Sequence, residues 1–259
     1  MKGKIYTIIA FLLCSLNLFS QNYAEQADSA YTSEEYGKAI ELYTKAIKES
    51  GTSSVIFYNL GNAYYRNGNN GKAILNYNRA LKLDPTNSDA QANLDFVNTK
   101  IADKQEDNFT LMEKLDNNIT TFMSANGWAY LTASLFILFL LCVAGYIFLN
   151  TVKYRKISFF IGVILALGIV FGITYSIKSA NRLLDNSEAI ITDESVQLGT
   201  SPRVPRDKSE QALFLHEGTK LVILDSVKVT NDAENPLWYE VKVDNSHRAW
   251  ISAKSVERI

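Results

Sequence analysis

Two uncharged apolar runs, residues 127–149 and 157–177, dominate the hydropathy pattern of this chain. Each is about 20 residues long, which at 1.5 Å per residue is about 30 Å of helix, the thickness of a bilayer's hydrocarbon core. Neither shows the polar face that a core helix of a soluble protein carries. The link between them, 150–156, is short, so the pattern predicts two transmembrane helices folded back as an antiparallel hairpin. Trp128 and Tyr130 open the first run, where aromatic side chains anchor at a membrane interface. Gly168 and Gly172 in the second form a small-xxx-small step, suited to close contact within the hairpin or with another membrane protein. Upstream, residues 107–126 are polar with Met112, Leu115, Ile119 and Phe122 recurring at helical spacing. This amphipathic juxtamembrane segment has two readings, a helix lying on the lipid surface or a rigid spacer packed against the region before it.

The placement of basic residues orients the hairpin. Lys153, Arg155 and Lys156 cluster in the predicted turn, which puts the turn in the cytoplasm and both flanking regions outside it; Lys178 and Arg182 beyond the second run weaken the bias without reversing it. At the N-terminus, Lys2 and Lys4 precede an apolar stretch ending near Ser20, the pattern of a secretory signal peptide over residues 1–20. Leu13 stands before Cys14 where lipoprotein processing needs a small residue. These features predict a two-pass protein of a bacterial inner membrane with periplasmic N- and C-terminal domains.

Between signal and hairpin the sequence repeats. Gly37, Lys38, Ala39, Ile40, Tyr43, Ala46 and Lys48 each recur 34 positions later, as Gly71, Lys72, Ala73, Ile74, Tyr77, Ala80 and Lys82. That period and pattern are the signature of the tetratricopeptide repeat, TPR. Phe57, Leu60, Gly61, Tyr64 and Pro85 complete the second copy. The first, from Tyr23, is degenerate, and the segment from Ser88 keeps one helix and reads as a cap. Residues 21–106 are thus predicted to form an α-helical TPR solenoid of about two repeats plus a capping helix. Its concave face should carry Asp28, Tyr31, Tyr58, Asn59, Asn62, Tyr65, Arg66 and Asn93, with Phe96 and Lys100 in the cap. By resemblance to other TPR proteins, Asn59 and Asn93 are candidates to bond the backbone of an extended partner peptide; the alternative is a solvated helix face, with the tyrosines as packing knobs.

After Arg182 the pattern changes to short strands: 187–192, a pair within 213–229 broken at Glu217-Gly218-Thr219, then 238–243, 249–251 and 256–259. The order of Val196-Gln197-Leu198-Gly199, Leu215-His216-Glu217-Gly218-Thr219, Trp238-Tyr239-Glu240-Val241 and Ala249-Trp250-Ile251 resembles a bacterial SH3 domain, an all-β SH3-like small barrel over residues 187–259. The resemblance implies binding of cell-wall peptides or proteins. Trp238, Trp250 and the loop 231–236 are the candidate surface, against the alternative that both tryptophans pack the barrel.

Composition narrows the function. The chain has 259 residues and a net charge of −1, which excludes the strongly basic surface that nucleic-acid binding selects. Its two cysteines, Cys14 and Cys142, both lie in apolar segments, so the exported regions have no disulfide and no thiolate chemistry. His216 and His247 stand alone, with no carboxylate or cysteine cluster at metal-ligand spacing. No nucleophile elbow or phosphate loop is present. No cofactor and no catalytic residue is expected. The whole arrangement of signal, short TPR array, membrane hairpin and SH3-like domain resembles the TPR membrane proteins of the aerotolerance (Bat-type) operons of Bacteroides and its relatives. That resemblance implies a non-enzymatic scaffold in an envelope complex tied to stress or oxygen tolerance. Its implied partners are membrane-anchored von Willebrand A-domain proteins beside a MoxR-type ATPase. A peptidoglycan-binding sensor acting through the SH3-like domain is the alternative.

Overall fold

The computed structural model describes residues 23–103, 110–229, 236–244 and 247–259. The predicted signal peptide, residues 104–109, most of the candidate 231–236 loop and residues 245–246 lie outside them. The chain divides into two compact units. One contains the repeats and the C-terminal strands, the other the apolar helices.

In the first unit, α1 (23–32) and α2 (Tyr36–Ser50) form one helical pair and α3 (Ser54–Arg66) and α4 (Asn70–Leu83) the next; α5 (Ser88–Asn98) stands as the single last helix. Asn87 caps α5 by accepting from the Ala90 backbone N–H at 2.9 Å. Ala39 and Ala73, equivalent across the repeat, are fully buried. Gly61 lies against the Tyr77 ring, where a Cβ would come within 2.7 Å of it. Tyr43 and Tyr77 fill the space between crossing helices, each ring contributing about 1.5–3 kcal/mol by burial.

The C-terminal strands are β1 (Glu188–Ile191), β2 (Ser195–Gly199), β3 (Gln211–His216), β4 (Lys220–Lys228), β5 (Leu237–Lys242), β6 (Arg248–Ser252) and β7 (Val256–Arg258). They make one antiparallel sheet in the order β3-β2-β6-β5-β4-β1-β7. Leu215 from one end of that order and Val256 from the other share a core with Leu198, Leu221, Val241 and Ile251, so the sheet curves on itself. Strand β2 lies where the sequence predicts no separate strand; Val196 and Leu198 alternate with polar neighbours there, but the run is short and ends at Gly199.

Repeats and sheet share a core, which the sequence reading treated as two separate modules. Ala189 and Ile191 point into the sheet, while Ile190 between them joins Ile74, Tyr77, Leu94, Val97 and Ile259 on the repeat side. Alternation along a strand sends neighbours to opposite faces, and both faces of β1 are covered. The β3–β4 turn is gripped at all four of its residues. Asp103 accepts from the His216 backbone N–H at 2.6 Å and the Thr219 hydroxyl at 2.7 Å, and its other oxygen lies 3.1 Å from His216 Nδ1. Glu217 accepts from the Gly71 N–H at 2.9 Å, a carboxylate on the N-terminal turn of α4. Gly218, at φ +85°, lies against Ile74 and Ile101. Arg79 donates to the Arg258 carbonyl at 2.6 Å and Lys82 to that of Ile259 at 2.9 Å. Burial of Arg79 pulls its pKa down, against the opposing pull of Glu257.

The second unit contains α6 (Leu111–Thr121), α7 (Ala125–Phe148) and α8 (Val152–Leu184). The last two are long and apolar enough to cross a membrane, and nearly all their large side chains face outward. They pair antiparallel. Gly172 meets Thr132, Gly168 lies 3.4 Å from Leu135, and Gly162 lies 3.7 Å from Cys142, each measured from the position a Cβ would take. The predicted turn at 150–156 is shorter than expected, since α8 begins at Val152. No glycine or proline stops a helix there, and the basic residues that ended the apolar run do not end the helix. The same reason carries α8 past 177 to Leu184. Arg155 bridges the two ends, donating to the Tyr146 carbonyl at 3.1 Å with its guanidinium over the Tyr146 ring.

Candidate functional site: the groove of the repeats

Three hydrogen-bonded side chains recur at the repeat period along the helices. In the first set, Asp28 on α1 accepts from the Tyr43 hydroxyl of α2 and, at 3.2 Å, from the Asn59 amide of α3. In the second, Asn62 on α3 accepts from the Tyr77 hydroxyl of α4 at 2.7 Å and from the Asn93 amide of α5 at 2.8 Å. Every member of the second set lies 34 positions after its counterpart. Each set therefore ties both helices of one repeat to the first helix of the next. The acceptor is a carboxylate in the first set and an amide in the second.

This network fixes the groove asparagines in one geometry. Asn59 and Asn93 are held from below by Asp28 and Asn62, and the Tyr58 hydroxyl lies 3.5 Å from the Asn93 amide. Burial raises the Tyr43 phenol well above its ordinary pKa, with the hydrogen bond and charge of Asp28 adding to it. Burial also raises Tyr77, assisted by nearby Tyr58. Both hydroxyls therefore stay protonated and act as donors. Asp28, Tyr31, Thr32, Tyr43, Asn59 and Asn62 line a cavity of about 200 Å³.

The other candidates diverge from this centre. Tyr65 packs edge-on to Phe96 and receives a 2.5 Å hydrogen bond from Lys100, whose ammonium lies 4.5 Å from the Phe96 ring centre. Arg66 turns back to the Tyr36 hydroxyl at 3.1 Å and stacks over that ring. Tyr58, Asn59, Asn62 and Asn93 thus form one cluster, with Tyr65 and Arg66 at separate places beyond it.

The sequence reading named Asn59, Asn62 and Asn93 and placed Asp28 on the same face, but missed Tyr43 and Tyr77 as their donors. The signal was available, because all three pairs recur at the period already found. On the sheet, Trp238 is only 3 % exposed, which favours the packing alternative over the surface one. Trp250 on β6 is half-buried, opposite Glu240 and Gly199. The histidines have carboxylate neighbours that the sequence reading did not assign, Asp103 for His216 and Asp244 for His247, the latter at 2.6 Å. Among the described residues no group of three His, Cys, Asp or Glu side chains is placed to hold a metal ion.

The tetratricopeptide repeat family matches residues 54–87, which span α3, α4 and the start of the segment leading into α5. This segment is a tetratricopeptide repeat. Over 92 residues the chain is 32 % identical to heat shock protein STI1 of Saccharomyces cerevisiae; that stretch is 35 % of this chain and 16 % of the relative. Among solved structures, the TPR domain of Arabidopsis OM64 is similar at 23 % identity and a TM-score of 0.31, covering 31 % of this chain and 67 % of that one. The Sgt2 TPR domain from Aspergillus fumigatus is similar at 18 % identity and a TM-score of 0.30, covering 73 % and 89 %.

Proposed function

We propose that the chain is a non-enzymatic, membrane-anchored scaffold whose TPR groove holds an extended segment of a partner protein. The observation that carries this reading is the recurring hydrogen-bonded set of Asp28, Tyr43 and Asn59, then Asn62, Tyr77 and Asn93. It lines up amide side chains at the repeat spacing with their rotamers already fixed, so little side-chain entropy is lost when a peptide backbone pairs with them. The two long apolar helices serve as the anchor, and Lys153, Arg155 and Lys156 at the tip of their hairpin support a cytoplasmic tip with repeats and sheet in the periplasm of a bacterial inner membrane. The curved sheet supports an SH3-like domain. The resemblance to Bat-type proteins directs the search for partners to von Willebrand A-domain membrane proteins of the same envelope.

The test is capture of those A-domain proteins by the full chain in detergent, compared with the Asn59→Ala, Asn62→Ala double variant. Loss of capture with the helical circular dichroism retained supports the groove; equal capture by the double variant removes it. A second reading, peptidoglycan binding through the sheet, draws on the partly exposed Trp250 ring. Failure of the full chain to co-sediment with purified peptidoglycan removes that reading.

A further inference from the structure

Helix α6 turns its Asp116 flank to the hairpin and leaves its apolar side exposed. Asp116 receives a hydrogen bond from the Tyr175 hydroxyl at 3.3 Å and pairs with Lys178, both on α8. Thr120, one turn further along, is buried. Leu111, Met112, Leu115 and Phe122 are 80 %, 78 %, 57 % and 68 % exposed, and half-buried Ile119 lies among them. At about 100° per residue these five positions fall within roughly 100° of arc, beside the Asp116 flank. Glu113, Lys114, Asn117 and Asn118 occupy the remainder.

A helix with so large an apolar face exposed is not stable against water alone. Its start is firmly made: the Thr110 hydroxyl and Glu113 form a reciprocal capping box, and Ser124 caps α7 only a few residues after α6 ends. The height at which α6 is held is also marked. Trp128 at the start of α7, expected from sequence at the interface, is instead buried at 4 % exposure against Tyr175 and Phe171 of α8, while Tyr130 beside it is exposed. Aromatic rings and a lysine at one end of two long apolar helices are the composition of a membrane–water interface. The contact partner of Asp116 is that same Tyr175–Lys178 step.

We infer that α6 is an interfacial helix, lying in the headgroup layer of the bilayer with Leu111, Met112, Leu115, Ile119 and Phe122 in the acyl boundary and the Asp116–Lys178–Tyr175 contact holding it at that depth. The occupant of the apolar face is lipid. A surface helix of this kind is oriented by its apolar arc and its polar flank together. Here the flank is fixed by the hairpin. The inference rests on the reading of α7 and α8 as membrane spans.

Single cysteines placed in a cysteine-free full chain, reconstituted in lipid nanodiscs and labelled with an environment-sensitive fluorophore, test it. Met112→Cys, Leu115→Cys and Phe122→Cys should give blue-shifted emission quenched by lipids with a nitroxide near the headgroup. Lys114→Cys and Asn118→Cys should report water and respond to an aqueous quencher. Leu138→Cys and Ile164→Cys, exposed positions in the middle of the two long helices, serve as controls for spanning and should be quenched by deep nitroxides. If the controls respond and the α6 positions stay aqueous, the inference is overturned while the spans stand. If the α6 positions are shielded from water but unquenched by lipid, protein covers the face and the inference is likewise overturned. If the controls are not quenched, the membrane reading itself fails. Asp116→Ala should weaken quenching at Leu115→Cys without changing the controls.

Discussion

Gly218 sits where the sheet packs against Ile74 and Ile101, and replacing it with alanine measures that contact. The residue sits at φ +85°, and a Cβ there would lie 2.6 Å from Ile74 Cδ1 and 2.8 Å from Ile101 Cγ2. An L-residue at this φ costs about 1–2 kcal/mol. Forcing a methyl group into a packed contact costs a further 1–3 kcal/mol or so, because the two isoleucines must leave their positions. The total is roughly 2–5 kcal/mol, and at about 1.4 kcal/mol per tenfold change the population of opened molecules rises by at least an order of magnitude. Gly68 provides the reference: its φ is +84° and nothing lies within 4 Å of its would-be Cβ, so Gly68→Ala carries the backbone cost alone. Amide hydrogen exchange of the full chain in detergent, read peptide by peptide, is the assay. Gly218→Ala should deprotect β1 and α4 together, and more than Gly68→Ala deprotects any segment. Equal effects from the two substitutions, or deprotection confined to the β3–β4 turn, would refute a shared core between sheet and repeats.

Three further outcomes follow from named contacts. Tyr77→Phe and Asn93→Ala both remove a donor to Asn62, so each should cost about 1 kcal/mol and the pair should be non-additive in a double-mutant cycle of thermal melts. Burial pushes the Asp103 carboxyl up, but hydrogen bonds from the His216 backbone, the Thr219 hydroxyl and the His216 ring outweigh it, and the net pKa lies below the usual carboxylate value. A depressed folded-state pKa adds stability that is present above the unfolded value of about 4 and lost as pH falls through the folded one. Asp103→Asn should therefore flatten the fall in melting temperature of the repeat–sheet unit below about pH 4, and an unchanged pH profile would count against the clasp. Finally, Gly162→Cys should close a disulfide with Cys142 in a Cys14→Ser chain, because its Cβ would lie 3.7 Å from that of Cys142, within the range such bonds need; absence of the bond under mild oxidant, read by mass, would put the pairing of α7 with α8 in a different register.

Much of the molecule was legible because its signals are periodic or repeated. A hydrophobic run of helix length needs no partner to be recognised, and a 34-residue repeat announces which positions pack alike. Strand β5 was readable from alternation, and β3, β4 and β6 from short apolar runs between turn residues. Strand β2 was less so: Val196 and Leu198 alternate with polar neighbours, but the run is only five residues long and ends at Gly199. Lys153, Arg155 and Lys156 mark the neighbourhood of the hairpin turn in sequence, yet charge ends an apolar run without ending a helix, and all three lie inside α8, which starts at Val152. Trp238 carried the composition of a contact surface but is buried, although alternation along β5 places it on the opposite face from the core residues Tyr239 and Val241.

The amino-acid sequence alone determined the local elements of this protein: two long apolar helices, a repeated helical pair, a run of short strands and an amphipathic segment between. These depend on periodicity and on residues a few positions apart. Only the tertiary structure decided that Asp28, Tyr43 and Asn59 form one set with Asn62, Tyr77 and Asn93, and that Ile190 belongs to the core of the repeats. It also decided that Asp103, Glu217 and Gly218 join helices to strands. The helix-to-strand partners lie 113 to 146 residues apart, and hydrogen bonding and close packing act through space, so outside the repeat period sequence spacing carries no record of which groups will meet.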